Sequence, residues 1–569
     1  MEKDSTLTSF SNTKEVPRKN GSVAAKAHEL AKSQRDISIA EFFEKNRHLL
    51  GFDNKRKALL TTIKEAVDNS IDACEEADIL PEIIVEITEL GNDKYRVVIE
   101  DNGPGIVKSQ IPKIFAKLLY GSKFHKLKMQ RGQQGIGISA AVMYSQLTTG
   151  KPTKIISKIH PDEPAHYYEL KINTQKNEPE IIKDDVRSWH KDHGTRVELE
   201  LESSYIKGAQ SVDEYLKETA IINPHVTIIY QPPKGEQLLL VRVSEEKPVQ
   251  PEEIKPHPYG VEVGMMIKML AVTSEKKVKS FLMNDFSRVS SAVADKILEN
   301  ASLLGKEKPA KLTREQAEKL VSAIRETKIM MPPTDCVVPI GAELLEKGLK
   351  KEINAEFYTS VSRSPQVYRG NPFLIEASLA YGGMIPKENS INLMRFANRV
   401  PLLYQQGACA VSEAVTGTSW KQYGLQQSGK NMPQGPVVLV VHVASVWVPF
   451  TSEAKEAIAH YPELIKEIKL CIQEVGRALG KYVNKKKRVG DELKKRSYIE
   501  TYIPHIAEAI KDILSDDFDE AEFSEKLKVL LEKKRGKVED MKFDPSKNTE
   551  YDEELARIGR EDVGGGVDE

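Results

Sequence analysis

The most regular stretch of the chain lies between residues 54 and 76, where apolar side chains recur at helical spacing. This repeat of three or four positions predicts a helix with one buried face. Its apolar members are Leu60, Ile63, Val67, Ile71 and Cys74. Glu65 and Asn69 lie four residues apart on another stripe of the same helix. That stripe is either a solvated polar face or a functional pair. The second alternative is chemically reasonable, because an amide oxygen suits Mg²⁺ and a nearby carboxylate can deprotonate a water.

Two alternating stretches follow and predict a β-hairpin. Apolar residues occupy every second position in 83–87 and 95–99, and a turn separates them at Gly91-Asn92-Asp93. The second strand runs into the sequence DNGPGI. This segment is either a plain turn or a binding loop. In a binding loop, Asp101 would accept a hydrogen bond from an exocyclic amine such as adenine N6, and Gly105 would let the backbone approach a flat ring.

A glycine-rich region then precedes a second helix. Gly121-Ser122-Lys123 is followed by RGQQGIGISA, which begins at Arg131. Backbone N–H groups at a helix N-terminus bind phosphate, although a flexible loop has the same composition. The spacing fits neither a P-loop nor a dinucleotide-binding fingerprint. Gly194-Thr195 opens an alternating strand, where the Thr195 hydroxyl would close an adenine pocket.

The second half of the chain predicts a linker, a helical region and a mixed α/β region. Residues 231–258 are rich in Pro, Glu and Lys. Farther along, Thr313 to Gln316 form a capping box. The lysines at 306, 308 and 311 precede it and are suited either to DNA phosphate contact or to solvent. Pro436 to Val448 predicts a buried strand, and Thr451 and Ser452 predict the start of a helix. Further helices are expected between 465 and 531.

Composition narrows the class of protein. The 569 residues are 40% apolar and 29% charged, which is ordinary for a soluble chain of several domains. The net charge of -1 excludes an overall basic field, so any DNA contact must come from local patches. No apolar run is long enough for a bilayer, and the N-terminus lacks the apolar core of a secretion signal. The four cysteines fit neither a disulfide framework nor a zinc site, so a cytoplasmic location is expected.

The order of these motifs resembles that of the Bergerat-fold ATPases, the group of gyrase, Hsp90, MutL and histidine kinases. The order is Glu-x3-Asn on a helix, then DNGPGI, then a Gly-rich lid, then Gly-Thr before a strand. The resemblance implies an α/β sandwich that binds ATP and Mg²⁺, with Asn69 on the metal and Glu65 activating the attacking water. The presence of Glu65 favours hydrolysis over phosphotransfer to protein. The implied nucleotide-binding residues are Asn69, Asp101, Gly105, Ser122, Lys123, Arg131, Gly132, Gln133, Gln134, Gly135, Ile136, Gly137, Ile138, Thr195 and Lys430.

Lys430 enters that set through a second resemblance. The mixed α/β region is similar to the transducer domain of gyrase-type ATPases, which carries a lysine on a loop that reaches the γ-phosphate. The loop QQSGKN, just before the predicted strand, supplies Lys430, implied to be catalytic together with Glu65. The helical region before it resembles a helix-two-turns-helix domain. With VYRGNPF, RFANRVPLLY and GQQGIGISAA also present, the chain resembles the B subunits of DNA topoisomerase VI, a type IIB enzyme.

This resemblance implies an α+β multidomain fold. The expected segments are a disordered tail (1–34), a Bergerat-fold ATPase domain (35–230), a linker (231–258), a helix-two-turns-helix domain (259–335), a ribosomal S5-like transducer domain (336–480), C-terminal helices that contact the A subunit (481–535) and a disordered tail (536–569).

The implied function is an ATP-operated gate for DNA. Two B subunits would dimerise on binding ATP within an A2B2 heterotetramer, trap a duplex and relax or decatenate DNA with a cleaving A subunit. The chain itself shows no convincing Toprim metal site, since the DxD at Asp517 lies in an acidic run rather than after a buried strand. The alternative is a clamp similar to MutL or Hsp90, which closes on ATP without passing a DNA strand. No membrane partner is expected.

Overall fold

The computed structural model describes residues 23–34, 37–123, 126–132, 135–452, 454–514 and 519–535. The predictions for Gln133, Gln134, Asp517 and the tail 536–569 concern residues outside these ranges. Of the tail predicted for 1–34, residues 1–22 also lie outside these ranges, and Val23–Ser33 form a helix. None of the described helices is both long enough and apolar enough to cross a membrane.

The N-terminal region is a large sheet with helices packed against it. Its helices are α1 (Val23–Ser33), α2 (Ile39–Lys45), α3 (Lys55–Glu76), α4 (Ile111–Ala116), α5 (Gly137–Thr149) and α6 (Val212–Ile222). Its strands are β1 (Glu82–Gly91), β2 (Lys94–Glu100), β3 (Thr153–Lys158), β4 (Ala165–Asn173), β5 (Glu178–Arg187), β6 (Gly194–Glu202), β7 (Thr227–Gln231) and β8 (Leu238–Leu240). Over the described residues these strands form one sheet in the order β5-β4-β3-β6-β2-β1-β7-β8. The apolar faces of α3, α5 and α6 share one core with this sheet.

Helix α3 forms where its apolar periodicity predicted it. The side chain of Asn54 accepts a hydrogen bond from the Lys57 backbone N–H and so caps the helix N-terminus. All five apolar residues that defined the stripe are buried. Because this face packs into the core, the opposite stripe with Glu65 and Asn69 is held in a fixed position.

The hairpin prediction is also confirmed, and the segment predicted as a linker (231–258) contains a short strand. β1 and β2 pair antiparallel around a turn in which Asn92 and Asp93 have positive φ, as short hairpins require. Farther on, Leu238–Leu240 forms β8 and pairs antiparallel with β7. Leu240 is buried in the same core. Burial of this leucine explains why a segment of polar, proline-rich composition still contributes an edge strand.

The helical region of residues 259–335 has its own core. Its helices are α7 (Val263–Val272), α8 (Val278–Asn284), α9 (Ser291–Ala301) and α10 (Arg314–Glu326). The predicted capping box is present, with Thr313 and Gln316 each bonded to the other's backbone N–H. Lys306, Lys308 and Lys311, which precede α10, are all exposed.

A second sheet dominates the following region. Its elements are α11 (Ala342–Glu352), β9 (Phe357–Ser362), β10 (Gln366–Tyr368), β11 (Asn371–Tyr381), β12 (Asn392–Ala397), β13 (Val400–Pro401), α12 (Ala410–Thr416) and β14 (Val437–Ser445). β14 lies between β11 and β12 and is buried along its whole length, which confirms the predicted strand. Two helices follow, α13 (Pro462–Leu514) and α14 (Glu520–Arg535).

The helix predicted to start at Thr451 is wrong. Over its described residues, the segment between β14 and α13 is a loop in which the Thr451 N–H donates to the Ala457 carbonyl at 2.9 Å. Ala457 and Ile458 are buried in the core of the second sheet, which fixes the loop where it re-enters the domain. Lys455 therefore stands on a loop, with φ of 53°.

Candidate nucleotide site

One cavity of about 560 Å³ collects most of the predicted site residues. It lies between α3, the loop after β2 and the start of α5. The predicted residues that line it are Glu65, Asn69, Asp101, Gly105, Ser122, Lys123, Gly132, Gly135, Ile136, Gly137, Ile138 and Thr195. Apolar side chains such as Ile99, Phe115 and Val197 line another part of the wall. An apolar wall with a few placed polar groups is typical of a pocket for a flat ring.

Asp101 is the buried polar group of that wall. Its Oδ1 accepts hydrogen bonds from the backbone N–H groups of Gly103 and Thr195, both at 3.0 Å. Its Oδ2 accepts from the Ser70 hydroxyl at 2.8 Å. Burial raises the pKa of this carboxyl, and the three hydrogen bonds oppose that shift. Asp101 is therefore a fixed acceptor beside the cavity, held by Ser70, which the sequence analysis missed.

Thr195 and Gly105 complete this side of the cavity. The Thr195 hydroxyl lies 3.0 Å from the Ser157 hydroxyl, and Ser157 also accepts from the Ile106 N–H at 2.8 Å. Gly105 has φ of 73°, and a Cβ there would lie 2.0 Å from the Lys158 carbonyl oxygen. Gly105 is thus required for the close approach of its loop to β3, in addition to lining the cavity.

Glu65 faces the start of α5 across the cavity. A Cβ built on Gly137 would lie 1.7 Å from Glu65 Oε2, so any larger residue at that position would displace the Glu65 carboxylate. No described side chain caps the N-terminus of α5, which begins at Gly137 beside the cavity. Free N–H groups at a helix N-terminus suit a phosphate group. Glu65, the catalytic candidate, therefore lies next to the helix N-terminus that could bind a phosphate group.

Asn69 is exposed at the cavity, one helical turn from Glu65. Among the residues that the structure describes, no cluster of three or more His, Cys, Asp or Glu side chains could hold a metal ion alone. Magnesium that accompanies a nucleotide needs only one or two protein oxygens, because phosphates and waters supply the rest. The lone amide oxygen of Asn69 fits that requirement.

Arg131 was expected to bind the nucleotide, but the structure buries it in an ion-pair network beside the cavity. Its guanidinium donates to Glu75 at 2.7 Å and to Asp72 at 2.8 Å. A further hydrogen bond of 2.6 Å goes to Asn223. Burial would raise the pKa of Glu75, but the charge of Arg131 and the hydrogen bonds from His225 and Arg131 together hold that pKa well below its usual range. Arg131 is thus committed to two carboxylates of α3.

Lys123 lines the cavity but is also paired. Its Nζ lies 2.6 Å from Asp72 Oδ2. Asp72 therefore binds two of the three cations that the resemblance assigned to the nucleotide, Arg131 and Lys123. A lysine held at the cavity wall in this way keeps donors for a phosphate, whereas Arg131 does not line the cavity.

A second buried group lies behind Glu65 on α3. The Tyr215 hydroxyl donates to Asp68 Oδ1 at 2.8 Å. Burial, with a contribution from the charge of Glu65, raises the pKa of Asp68 to about 6, although Lys64 acts in the opposite direction. Burial also lowers the pKa of Lys64. Ionisation of this side of α3 is thus sensitive to mildly acidic pH.

Lys430 is not brought to the cavity. It is exposed in the loop before β14, and backbone hydrogen bonds between Gln426 and Gln434 close that loop. The lysine of the second sheet that does line the cavity is Lys455, in the loop after β14. The two loops lie at opposite ends of a strand of nine residues, roughly 30 Å long at about 3.3 Å per residue. The structure therefore places Lys455 rather than Lys430 at the cavity.

Lys455 already contacts the lid of the cavity. Its Nζ donates to the Arg131 carbonyl oxygen at 3.1 Å, immediately before Gly132. The signal that could have identified it is a lysine just after a long buried strand. The Thr451-Ser452 pair obscured that signal because it resembles a helix start.

Comparison with known proteins matches each of the two sheet-containing regions to a protein family. A family model for "Histidine kinase-, DNA gyrase B-, and HSP90-like ATPase" matches residues 54–204. A model for "Topoisomerase VI B subunit, transducer" matches residues 332–495. The chain is 55% identical over 492 residues to the B subunit of type 2 DNA topoisomerase 6 from Methanococcoides burtonii, covering 86% of this chain and 79% of that protein. For the protein of the same name from Archaeoglobus fulgidus the identity is 48% over 484 residues, covering 85% and 80%.

Proposed function

Because this chain belongs to the family of type 2 DNA topoisomerase 6 B subunits, we propose that it hydrolyses ATP to drive DNA strand passage together with a DNA-cleaving A subunit. One observation carries this function. Glu65 and Asn69 of the ATPase region and Lys455 of the transducer region line the same cavity. A nucleotide bound there would contact both regions, so its hydrolysis would change the contacts of both regions.

We infer the roles of the cavity residues from their chemistry. Asp101 would accept the adenine amine, and Thr195 would close the same pocket. Phosphates would lie at the N-terminus of α5, where Gly135, Ile136, Gly137 and Ile138 line the cavity. Ser122, Lys123 and Gly132 would complete the phosphate side. A fixed acceptor in a buried pocket gives selectivity, because a base without a donor there would leave a buried acceptor unpaired.

Glu65 would act as the general base for hydrolysis. It is a carboxylate on a rigid helix next to the proposed phosphate site, which suits the orientation and deprotonation of a water. Asn69 would hold Mg²⁺ through its amide oxygen, and the ion would neutralise charge on the terminal phosphates. The contact between Glu65 and Gly137 keeps the carboxylate directed at the start of α5.

Lys455 would transmit the nucleotide state. A lysine suits a terminal phosphate as a point charge. ATP has a γ-phosphate and ADP does not, so a lysine that binds this group has different contacts in the two states. A ligand shifts a conformational equilibrium only through such differences. Lys455 would therefore convert hydrolysis into a movement of the transducer region.

The family supports an A subunit and DNA as partners. We propose that ATP joins two copies of this chain within an A2B2 assembly. The lysines before the capped N-terminus of α10 would contact DNA phosphates, as expected for a helix-two-turns-helix domain. The C-terminal helices α13 and α14 would contact the A subunit.

Relaxation of supercoiled DNA tests this function against the clamp alternative. The full chain is assayed with and without the A subunit from the same source, with ATP or ADP. We expect relaxation and decatenation only with ATP and both subunits, and loss of activity in Glu65→Ala. A clamp similar to MutL would hydrolyse ATP and close on DNA, but it would leave the linking number unchanged in every combination.

A further inference from the structure

A buried ion pair joins the loop of Lys455 to the first turn of α3. Lys57 Nζ lies 2.5 Å from Glu456 Oε1, and the two side chains are only 12% and 6% exposed. Glu456 directly follows Lys455, and Lys57 precedes Glu65 by eight residues on the same helix. Eight residues of helix span about 12 Å. The pair therefore links the transducer loop to α3 about two turns from the proposed general base.

Both partners of this ion pair are held by further contacts. Lys57 Nζ also lies 3.0 Å from Asp53 Oδ1 and 5.5 Å from the centre of the Tyr404 ring. Glu456 Oε2 accepts a hydrogen bond of 2.6 Å from the Gln405 side chain. Burial lowers the pKa of Lys57, but its two carboxylate partners outweigh that and raise it. Three further side chains thus contact the pair, and a buried polar network of this kind rigidifies the interface at this point.

The backbone around Lys455 is fixed on both sides. The Lys455 N–H donates to the Ser452 carbonyl at 3.1 Å, and the Thr451 N–H donates to the Ala457 carbonyl at 2.9 Å. Glu456, the residue after Lys455, is held against α3 by Lys57. The remaining freedom of Lys455 lies in its side chain, whose Nζ contacts the Arg131 carbonyl oxygen. That carbonyl is neutral, so it is a weaker partner for an ammonium group than a phosphate oxygen.

We propose that the Lys57–Glu456 ion pair positions Lys455 for the terminal phosphate of ATP. The pair holds the loop still while the Lys455 ammonium exchanges the Arg131 carbonyl for the phosphate. Glu456 and Lys57 are thus positioning residues, and neither contacts the nucleotide. This inference rests on the proposed role of Lys455.

The test uses the full chain and measures ATP turnover, together with the affinities for ADP and for a non-hydrolysable ATP analogue. Glu456→Gln and Lys57→Met should each lower turnover roughly 10- to 100-fold, the effect of a misplaced catalytic contact, with ADP affinity unchanged. Lys57→Arg, which keeps the charge, should retain most of the activity. The double variant Lys57→Met with Glu456→Gln leaves no buried charge unpaired, so it preserves the fold if a single variant does not.

Two further variants separate positioning from general stabilisation. Glu467→Gln breaks the pair with Arg363, which lies at 3.1 Å within the transducer region and away from the cavity. It should lower the melting temperature without changing the preference for the ATP analogue over ADP. Adding Glu456→Gln to Lys455→Ala should cause no further loss, because both changes disable the same contact.

Two results decide whether the ion pair positions Lys455. A full additional loss from Glu456→Gln in the Lys455→Ala background would show that the pair acts independently of Lys455 and would overturn the inference. If Lys455→Ala alone keeps wild-type turnover and nucleotide preference, the proposed role of Lys455 fails, and the inference fails with it. The second outcome is read from a variant in which the ion pair is intact, so the two failures are distinguishable.

Discussion

Glu65 and Gly137 face each other so closely that a side chain on Gly137 would displace the Glu65 carboxylate: a Cβ there would lie 1.7 Å from Glu65 Oε2. The first residue of α5 thus determines where the proposed general base can stand. The same residue begins the helix whose free N–H groups line the cavity. Hydrolysis and phosphate binding are therefore expected to depend on one glycine.

Gly137→Ala should lower ATP turnover roughly 10- to 100-fold by displacing Glu65, although alanine favours the helix itself. Turnover is measured alongside the melting temperature, which should not fall in proportion. The control is Gly264→Ala in α7, where a Cβ meets nothing within 4 Å. Wild-type turnover in Gly137→Ala would contradict the assignment of Glu65.

Asp101→Asn should weaken ATP binding by about 1–3 kcal/mol, because an amide N–H₂ would face the donors that Asp101 now accepts from. The preference for ATP over GTP should fall as well. Isothermal calorimetry with both nucleotides measures this. The exposed residue Asp162 provides the control Asp162→Asn. If ATP affinity is unaltered, Asp101 is only a turn residue.

Lys455→Ala should abolish the difference in binding between a non-hydrolysable ATP analogue and ADP. The reason is that its ammonium is the transducer group at the cavity. Lys430→Ala is the matched control and should behave as wild type, since Lys430 is exposed in the loop at the other end of β14. The opposite pattern would restore the assignment made from sequence.

Arg131→Gln should destabilise the fold by about 3–5 kcal/mol, because it leaves the buried carboxylate of Glu75 without its cation and that of Asp72 with Lys123 alone. Thermal unfolding in the absence of nucleotide measures this loss. The control Arg314→Gln removes an exposed i,i+4 pair with Glu318 and should have little effect. Reduced nucleotide affinity with unchanged stability would instead identify Arg131 as a ligand-binding residue.

Asp68→Asn should change how stability depends on pH. The pKa of Asp68 in the folded state is about 6, above the ordinary 3.8, so the folded state keeps a proton that the unfolded state has lost. The contribution of Asp68 to stability is therefore greatest at low pH and declines as pH rises through that window. The melting temperature of Asp68→Asn relative to wild type should rise across the same window and then level off. A constant difference would contradict the raised pKa.

Sequence periodicity was sufficient for the elements whose stability is local. α3 and the β1–β2 hairpin form where their patterns predicted them, since burial of one face and the turn residues decide such elements. β8 was missed because its three residues gain their stability from pairing with β7, which no local pattern shows.

The site was predictable where one element carries the chemistry, as with Glu65 and Asn69 on α3. It was not predictable where partners come from distant parts of the chain. Arg131 was assigned to the nucleotide because its carboxylate partners on α3 become its neighbours only after folding. Lys455 was missed because a helix-start pattern at Thr451 obscured a loop that is held by burial of Ala457 and Ile458.

Helix α13 extends well beyond the sheet that anchors it. Its N-terminal part, from Leu464 to Leu479, is buried in the transducer core, while Tyr498 and Tyr502 farther along are exposed. The stretch between Leu479 and Pro504 has about 24 residues and is therefore roughly 36 Å long. As a rigid lever, it would convert a tilt of about 10° in the transducer core into a displacement of about 6 Å at its far end, given that length. Through this helix, a small rotation at the nucleotide cavity would reach a surface that lies far from it.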